Sequence, residues 1–357
     1  MEITRTFLVP DYYPEFVCKC GECRACCCGC GWGIAVGMEE YFDLLGRDCS
    51  PELRDRLDTA FHLADDRSPE HYAMVTPKYD GSCRLQREDG LCMLQRECGE
   101  FTLPAVCRTY PRAPRISPFP ECCTSASCEK TLELLFADSD PVEYVPVELT
   151  FKLPGLPESD YPAGDYIATR LEAFAILGDR SKPFGERLVT LSERLYNNEG
   201  ICPDGGANID EYQLVADFFA DLSRTSPTFE ALIPELNQFD MRTTAEFLSA
   251  RVNDLDVKLE KLFVNHLFYK SFPNSFKSRE NHLAEEAMAL CMAVALTKIL
   301  AAAHLATVEG DSETAFIDSV AMTFRVIEHS RFDECAVRFL RARQAISLDF
   351  LAKLAKI

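Results

Sequence analysis

Fifteen of the eighteen cysteines lie in the first 128 residues of this 357-residue chain, and only Cys202, Cys291 and Cys335 lie beyond. An ordinary globular core does not use thiols at that density, so the front of the chain has to be organised by disulfides or by metal. The back has the composition of a normal globular domain. The division expected is therefore a cysteine-rich region over 1–149 and a second domain over 150–357.

The first cysteine block reads Cys18-Lys-Cys20-Gly-Glu-Cys23-Arg-Ala-Cys26-Cys27-Cys28-Gly-Cys30-Gly-Trp32, seven thiols in thirteen residues. Met1 to Pro14 holds charges and prolines but no apolar h-region, so no secretory signal is read there. The compartment expected is the cytoplasm, where thiols stay reduced and clustered cysteines bind metal more often than they form disulfides. Thiolates this crowded repel one another unless a cation neutralises them. Glycines at 21, 29 and 31 let the backbone approach such a centre.

The spacing leaves the metal open. Cys20, Cys23, Cys26 and Cys30 match the C-x2-C-x2-C-x3-C run of bacterial ferredoxins, with Gly31 in place of the usual proline. Cys23, Cys27 and Cys30 match the C-x3-C-x2-C spacing of radical S-adenosylmethionine enzymes. A structural zinc held by four thiolates is the rival. In a second block, Cys83 and Cys92 flank the Asp89-Gly90 turn signal, and Cys98 and Cys107 follow. These thiols either converge on the first block or pack as buried apolar groups.

Charge and hydropathy remove other classes. A net charge of -20 makes nucleic acid an improbable partner. An apolar fraction of 47% rules out wholesale disorder. The longest apolar run, Ala287 to Ala306, is broken by Thr297, Lys298 and His304; it reads as a buried or amphipathic helix, not a membrane span.

Elsewhere the pattern is mainly helical. Short helices are predicted over Met38–Leu45, Pro51–Asp65 (with Ser50 as N-cap) and Glu129–Ala137. Residues 104–120, with five prolines, are predicted to be extended or turning. One strand is predicted over Val142–Leu153, and residues 1–17 read as a lead-in. Leu214, Val215, Phe218, Phe219 and Leu222 define one helical face. Leu255–Phe268, Leu283–Leu305 and Thr314–His329 repeat that style. The fold class predicted is mainly α: a cysteine-rich region of loops and short helices, then an α-helical domain.

At its cysteine blocks the chain resembles the flagellin lysine-N-methylase family, within the wider CxxxCC group of zinc- or iron-chelating cysteine-cluster proteins. The family start, F-x-C-x4-C-x3-C-C-x2-W, is matched by Phe16, Cys18, Cys23, Cys27, Cys28 and Trp32, with one extra residue before the tryptophan. The family middle, C-x-L-x4-G-L-C then L-P-x-x-C-R-T-Y-P-R, is matched by Cys83, Leu85, Gly90, Leu91 and Cys92, then by Leu103, Pro104 and Cys107 to Arg112. Cys128, before a helix, matches the family's closing cysteine. Arg187-Leu188, Asn265-His266 before Phe272-Pro273, and Glu328-His329 are similar to positions in its rear half. Cys20, Cys26, Cys30, Cys122 and Cys123 are departures.

The resemblance implies transfer of a methyl group from S-adenosylmethionine to lysine ε-amines of flagellin or another lysine-bearing protein. It also implies an iron–sulfur cluster, of the 4Fe-4S type with zinc as alternative. The ligand set it implies is Cys18, Cys23, Cys27, Cys28, Cys83, Cys92, Cys107 and Cys128. No glycine-rich dinucleotide-type loop is visible.

Trp32, the only tryptophan, is either a cluster or sulfonium neighbour or a core anchor. Arg108 and Arg112, with Arg115, either pair with the cofactor carboxylate or are solvated. Tyr110 either positions the amine, as the catalytic candidate, or is a buried phenol. His266 and His329 read as satisfied core histidines. Cys49, Cys202, Cys291 and Cys335 read as packed thiols. The rival function is a non-enzymatic cysteine-cluster protein, for electron transfer, redox sensing or structural zinc.

Overall fold

A computed structural model describes residues 2–29, 33–116, 119–152, 163–199, 209–224, 227–230, 232–273 and 282–357. It begins with strand β1 (Glu2–Pro10), where the lead-in was expected. Alternation is the reason: Phe7 and Val9 point inward and are fully buried, while Leu8 between them is exposed. Strands β2 (Ala35–Val36), β3 (Phe61–Leu63) and β4 (Ala73–Val75) form a small antiparallel sheet in the order β2-β4-β3.

Helices α1 (Met38–Leu45) and α2 (Pro51–Thr59) lie between these strands. Ser50 caps α2, its hydroxyl accepting from the Leu53 amide at 3.2 Å. The helix stops at Thr59, short of the expected Asp65, because Phe61 pairs with Val75 in the sheet. Two short helices follow, α3 (Met93–Cys98) and α4 (Ala105–Thr109). The second corrects the extended reading of 104–120: Pro104 sits at its N-cap and Pro111 beyond its end, where proline costs no helical hydrogen bond.

Cys128 then opens α5 (Glu129–Leu135). Strand β5 (Tyr144–Lys152) returns along the whole of β1, from Glu2 opposite Lys152 to Pro10 opposite Tyr144. The 149/150 division falls inside this strand. The ribbon ties the beginning of the cysteine-rich region to its end.

The remainder is helical: α6 (Ala163–Leu177), α7 (Phe184–Asn198), α8 (Glu211–Ser223), α9 (Pro227–Glu230), α10 (Ile233–Gln238), α11 (Thr244–Arg251), α12 (Leu255–Tyr269), α13 (His282–Thr307), α14 (Ser312–His329), α15 (Phe332–Ala342) and α16 (Leu348–Lys356). The protein is thus mainly α, with a cysteine-rich region before a helical domain. Helix α13 is long and apolar enough to cross a membrane, and it is buried on every side by α7, α10, α11, α14, α15 and α16. An all-round apolar helix fits that central place. Its polar interruptions are accommodated locally: the Thr297 hydroxyl donates to the Ala293 carbonyl at 2.7 Å, and His304 meets Glu235 at 3.1 Å.

Helix α5 joins the two regions. Its Leu132 and Leu135 belong to the large helical core, and it packs against α12 and α14. The front keeps a separate, smaller apolar cluster around Val36, Leu53, Leu57 and Leu94.

Candidate metal centre

The first cysteine block is clamped from both sides. Lys19 reaches Glu129 and Glu133 of α5 at 2.6 and 2.8 Å, and Arg24 pairs with Asp318 of α14 at 2.8 Å. Arg325 of α14 donates to the Ala25 carbonyl at 2.6 Å. On the other side Gly21 lies against the Asp89-Gly90 turn: a Cβ there would sit 2.8 Å from the Asp89 carbonyl oxygen. The Cys83 amide donates to the Cys28 carbonyl at 2.8 Å, so the second block is tied to the first through backbone. The predicted turn is present, with Gly90 at φ +77, but Cys92 faces Gln86 across it, not Cys83.

Cys26, Cys27 and Cys28 place their three sulfurs within 4.8 Å of one another, and no other triple of potential ligands is this close among the described residues. Hydrogen bonds from the Cys27 and Cys28 thiols hold Cys26 as a thiolate, far below the usual thiol range, against the cost of burial. The amides of Cys28 and Gly29 add to that, and Gln86 Nε2 lies 3.4 Å from the Cys26 sulfur. The same hydrogen bonding to Cys26 pushes Cys27 and Cys28 up. Three sulfurs this close, with the Cys26 thiol lowered by its neighbours, form an arrangement a soft cation stabilises directly.

The other thiols expected as ligands stand in electrostatic reach of this trio. Cys18 lies within electrostatic reach of Cys20, Cys23, Cys27 and Cys128. Cys26 lies within reach of Cys83 and Cys92, and those two within reach of Cys107. Burial, then Glu129, pushes Cys23 up to about 12; burial, then Cys83 and Cys92, does the same to Cys107. Cys83, Cys92 and Cys107 also rest against the small apolar cluster. All the described cysteines are free thiols. An all-sulfur donor set with one thiolate already stabilised fits a zinc ion or an iron–sulfur cluster.

Cys26, one of the departures from the family pattern, is the member of the trio that the motif comparison missed. Of the other departures, Cys122 and Cys123 are fully buried, and the Cys122 thiol donates to the Tyr13 hydroxyl at 3.4 Å. Cys30, Gly31 and Trp32 lie outside the described residues. Cys202 does too, while Cys291 packs against Ser192.

Arg108 donates to the carbonyls of Leu103 and Lys152 at 2.8 and 2.7 Å. Arg112 lies over the Phe16 ring at 5.0 Å. Arg115 is buried and pairs with Glu121 at 2.8 Å. None of the three is a solvated surface cation. Tyr110 is near the metal candidates: burial first, then the charges of Cys128 and Cys27, holds its phenol well above its usual range.

Beside Tyr110 lies a polar network that sequence patterning did not single out as a unit. The Tyr110 hydroxyl is 3.1 Å from Ser127 Oγ, and Ser127 Oγ is 2.8 Å from His329 Nε2. Ser125 Oγ donates to Glu328 Oε2 at 2.5 Å, and the Ala126 amide donates to the same oxygen at 3.0 Å. His266 Nδ1 meets the other carboxylate oxygen at 2.9 Å. His266 is the satisfied core histidine expected and meets Glu328 directly, whereas His329 is partnered but exposed, a correction to its core reading, and reaches Glu328 through Ser125. Asn265 next to His266 donates to the Thr124 carbonyl and accepts from Tyr12. The only sequence signal was the pair of dipeptides Asn265-His266 and Glu328-His329. Ser125 and Ser127 carried none.

No protein-family model, no curated protein and no solved structure matches this chain.

Proposed function

We propose that this chain is a protein lysine N-methyltransferase of the flagellin type, carrying a cysteine-ligated iron–sulfur cluster and using S-adenosylmethionine as methyl donor. The observation that carries this reading is the juxtaposition of the Cys26–Cys27–Cys28 trio with Tyr110, coupled through Cys27 and Cys128. Cys26, Cys27 and Cys28 would hold the centre, with Cys18 a further candidate within electrostatic reach of Cys27. Such a centre supplies electron-transfer or Lewis-acid chemistry.

The chain's own residues have a separate task. A lysine ammonium has no free electron pair, so it has to lose a proton before its nitrogen forms the new bond to the methyl carbon and the carbon–sulfur bond breaks. Tyr110 and the adjoining hydroxyls are positioned to hold that amine and relay its proton. The acidic surface, at a net charge of -20, favours approach of lysine-bearing proteins.

One observation favours the rival, a cluster protein without methyl transfer. The Arg108 and Arg112 side chains, the cations expected for the donor's carboxylate, are engaged within the protein.

Oxygen-free purification, with iron, sulfide and zinc assays on one sample, followed by incubation with methyl-labelled S-adenosylmethionine and flagellin, separates the readings. Matched iron and sulfide with label on lysine is the expected result. A metal-loaded protein that neither binds S-adenosylmethionine nor labels any lysine overturns it.

A further inference from the structure

The network at Glu328 is a continuous line of hydroxyl groups that ends on a carboxylate. Ser125 Oγ has Glu328 Oε2 at 2.5 Å, Ser127 Oγ at 2.5 Å and His329 Nε2 at 3.1 Å as neighbours. Its single proton serves only one of them. Ser127 faces the same choice between Ser125 and His329 Nε2, while Tyr110 lies within donating distance of Ser127. Each hydroxyl on this line both donates and accepts, so a proton can be handed along it from Tyr110 to Glu328. The line has an inner and an outer end. The Glu328 side chain is completely buried against His266. His329 is an exposed residue whose Nε2 turns inward, and Tyr110 lies beside the thiols of Cys27 and Cys128.

We propose that Tyr110, Ser127, Ser125 and Glu328 form a proton relay that removes the proton from the substrate lysine ammonium. The proposal rests on the methyltransferase reading. The lysine N–H proton passes to the Tyr110 oxygen as Tyr110 gives its own to Ser127, Ser127 to Ser125, and Ser125 to the Glu328 carboxylate. The net change is ammonium plus carboxylate to amine plus carboxylic acid. The proton leaves to solvent along the same line after methyl transfer.

The groups facing Glu328 are consistent with this. From α12 come His266 and Tyr269, with Lys270 just past its end; from the segments before α5 come Ser125, Tyr12 and Cys123. Burial raises Glu328 to about 8, partly offset by Ser125, the Ala126 amide and Lys270. A base in that range is matched to proton exchange near neutral pH. His266 is held neutral by burial, so it donates to or accepts from Glu328 without adding charge.

The test measures lysine methylation against pH for the wild type, Glu328→Gln and Ser127→Ala, with the infrared carboxyl band of Glu328 followed in the same proteins. In the wild type, kcat/KM should rise as Glu328 ionises. Glu328→Gln should lose about 100-fold near neutral pH and recover as pH approaches the lysine's own ionisation. Glu328→Asp should restore part of the loss. Ser127→Ala should give a smaller loss and shift the carboxyl band. A Glu328→Gln protein that keeps its metal and the wild-type profile within twofold overturns the relay. If the wild type methylates nothing, the methyltransferase reading falls. The infrared titration then judges the relay alone: a Glu328 band that moves in Ser127→Ala supports it, and one indifferent to Ser127 overturns it.

Discussion

The two regions are held together by different physics. The helical region has one continuous apolar core centred on α13, which also takes in Tyr12 and Ala126 from the front and reaches to Ile357. The cysteine-rich region has two small apolar clusters, short helices and two small sheets, joined by backbone hydrogen bonds and close glycine contacts. Side-chain burial stabilises the first without help. The second buries less apolar surface and gathers three sulfurs that could hold a metal. The contrast predicts that the front leans on a metal for stability and the back does not.

Metal removal should break the comparison most severely. Structural metal in small thiolate sites contributes about 10 kcal/mol or more to folding, so chelation should unfold the front while α13 and its neighbours persist. Limited proteolysis should cut within the first 128 residues and leave the helical remainder intact; a single cooperative unfolding of the whole chain would contradict the division.

A core truncation tests the other side. Phe263→Ala removes a fully buried ring from α12 and should cost about 3–5 kcal/mol in urea unfolding, without changing metal content. Gly21→Ala belongs to the front: its Cβ would meet the Asp89 carbonyl at 2.8 Å, so we expect a loss of about 1–3 kcal/mol together with weaker metal retention. Equal metal content in both variants would blur the distinction.

The junction is pH-sensitive. Burial opposes ionisation of Glu129, but hydrogen bonds from Lys19 and the Ala25 amide and the charge of Arg24 prevail and hold it below its ordinary value. A carboxyl lowered in the folded state adds stability above its unfolded pKa, and that stability is lost as pH falls through the depressed value. Glu129→Gln should remove this acid limb, seen as a flatter melting temperature below the usual carboxylate range. The smallest effect belongs to the α2 cap: Ser50→Ala should cost about 1 kcal/mol, read by thermal melting.

Much of the fold was legible in the chain because local signals agree with it. Met38–Leu45 is helical over the predicted span, and Leu214, Val215, Phe218, Phe219 and Leu222 are all buried on one face of α8. β1 was missed since two buried positions, Phe7 and Val9, make a short alternation whose meaning depends on a partner strand more than 130 residues away. α4 was missed because its flanking prolines read as breakers, although both stand where proline is tolerated. For the site, thiol density pointed to a candidate metal centre, but spacing across seven nearby cysteines was too permissive to select Cys26, Cys27 and Cys28.

The sequence by itself determined the class and the division of labour. Residue type and periodicity are local properties, and they specify a thiol-rich front before a helical back. Tertiary structure alone decided which sulfurs meet and that Ser125, Ser127, Glu328, His266 and His329 share one hydrogen-bond network. Those residues come from three distant segments, and only the packing of α5 against α12 and α14 brings them within hydrogen-bond reach.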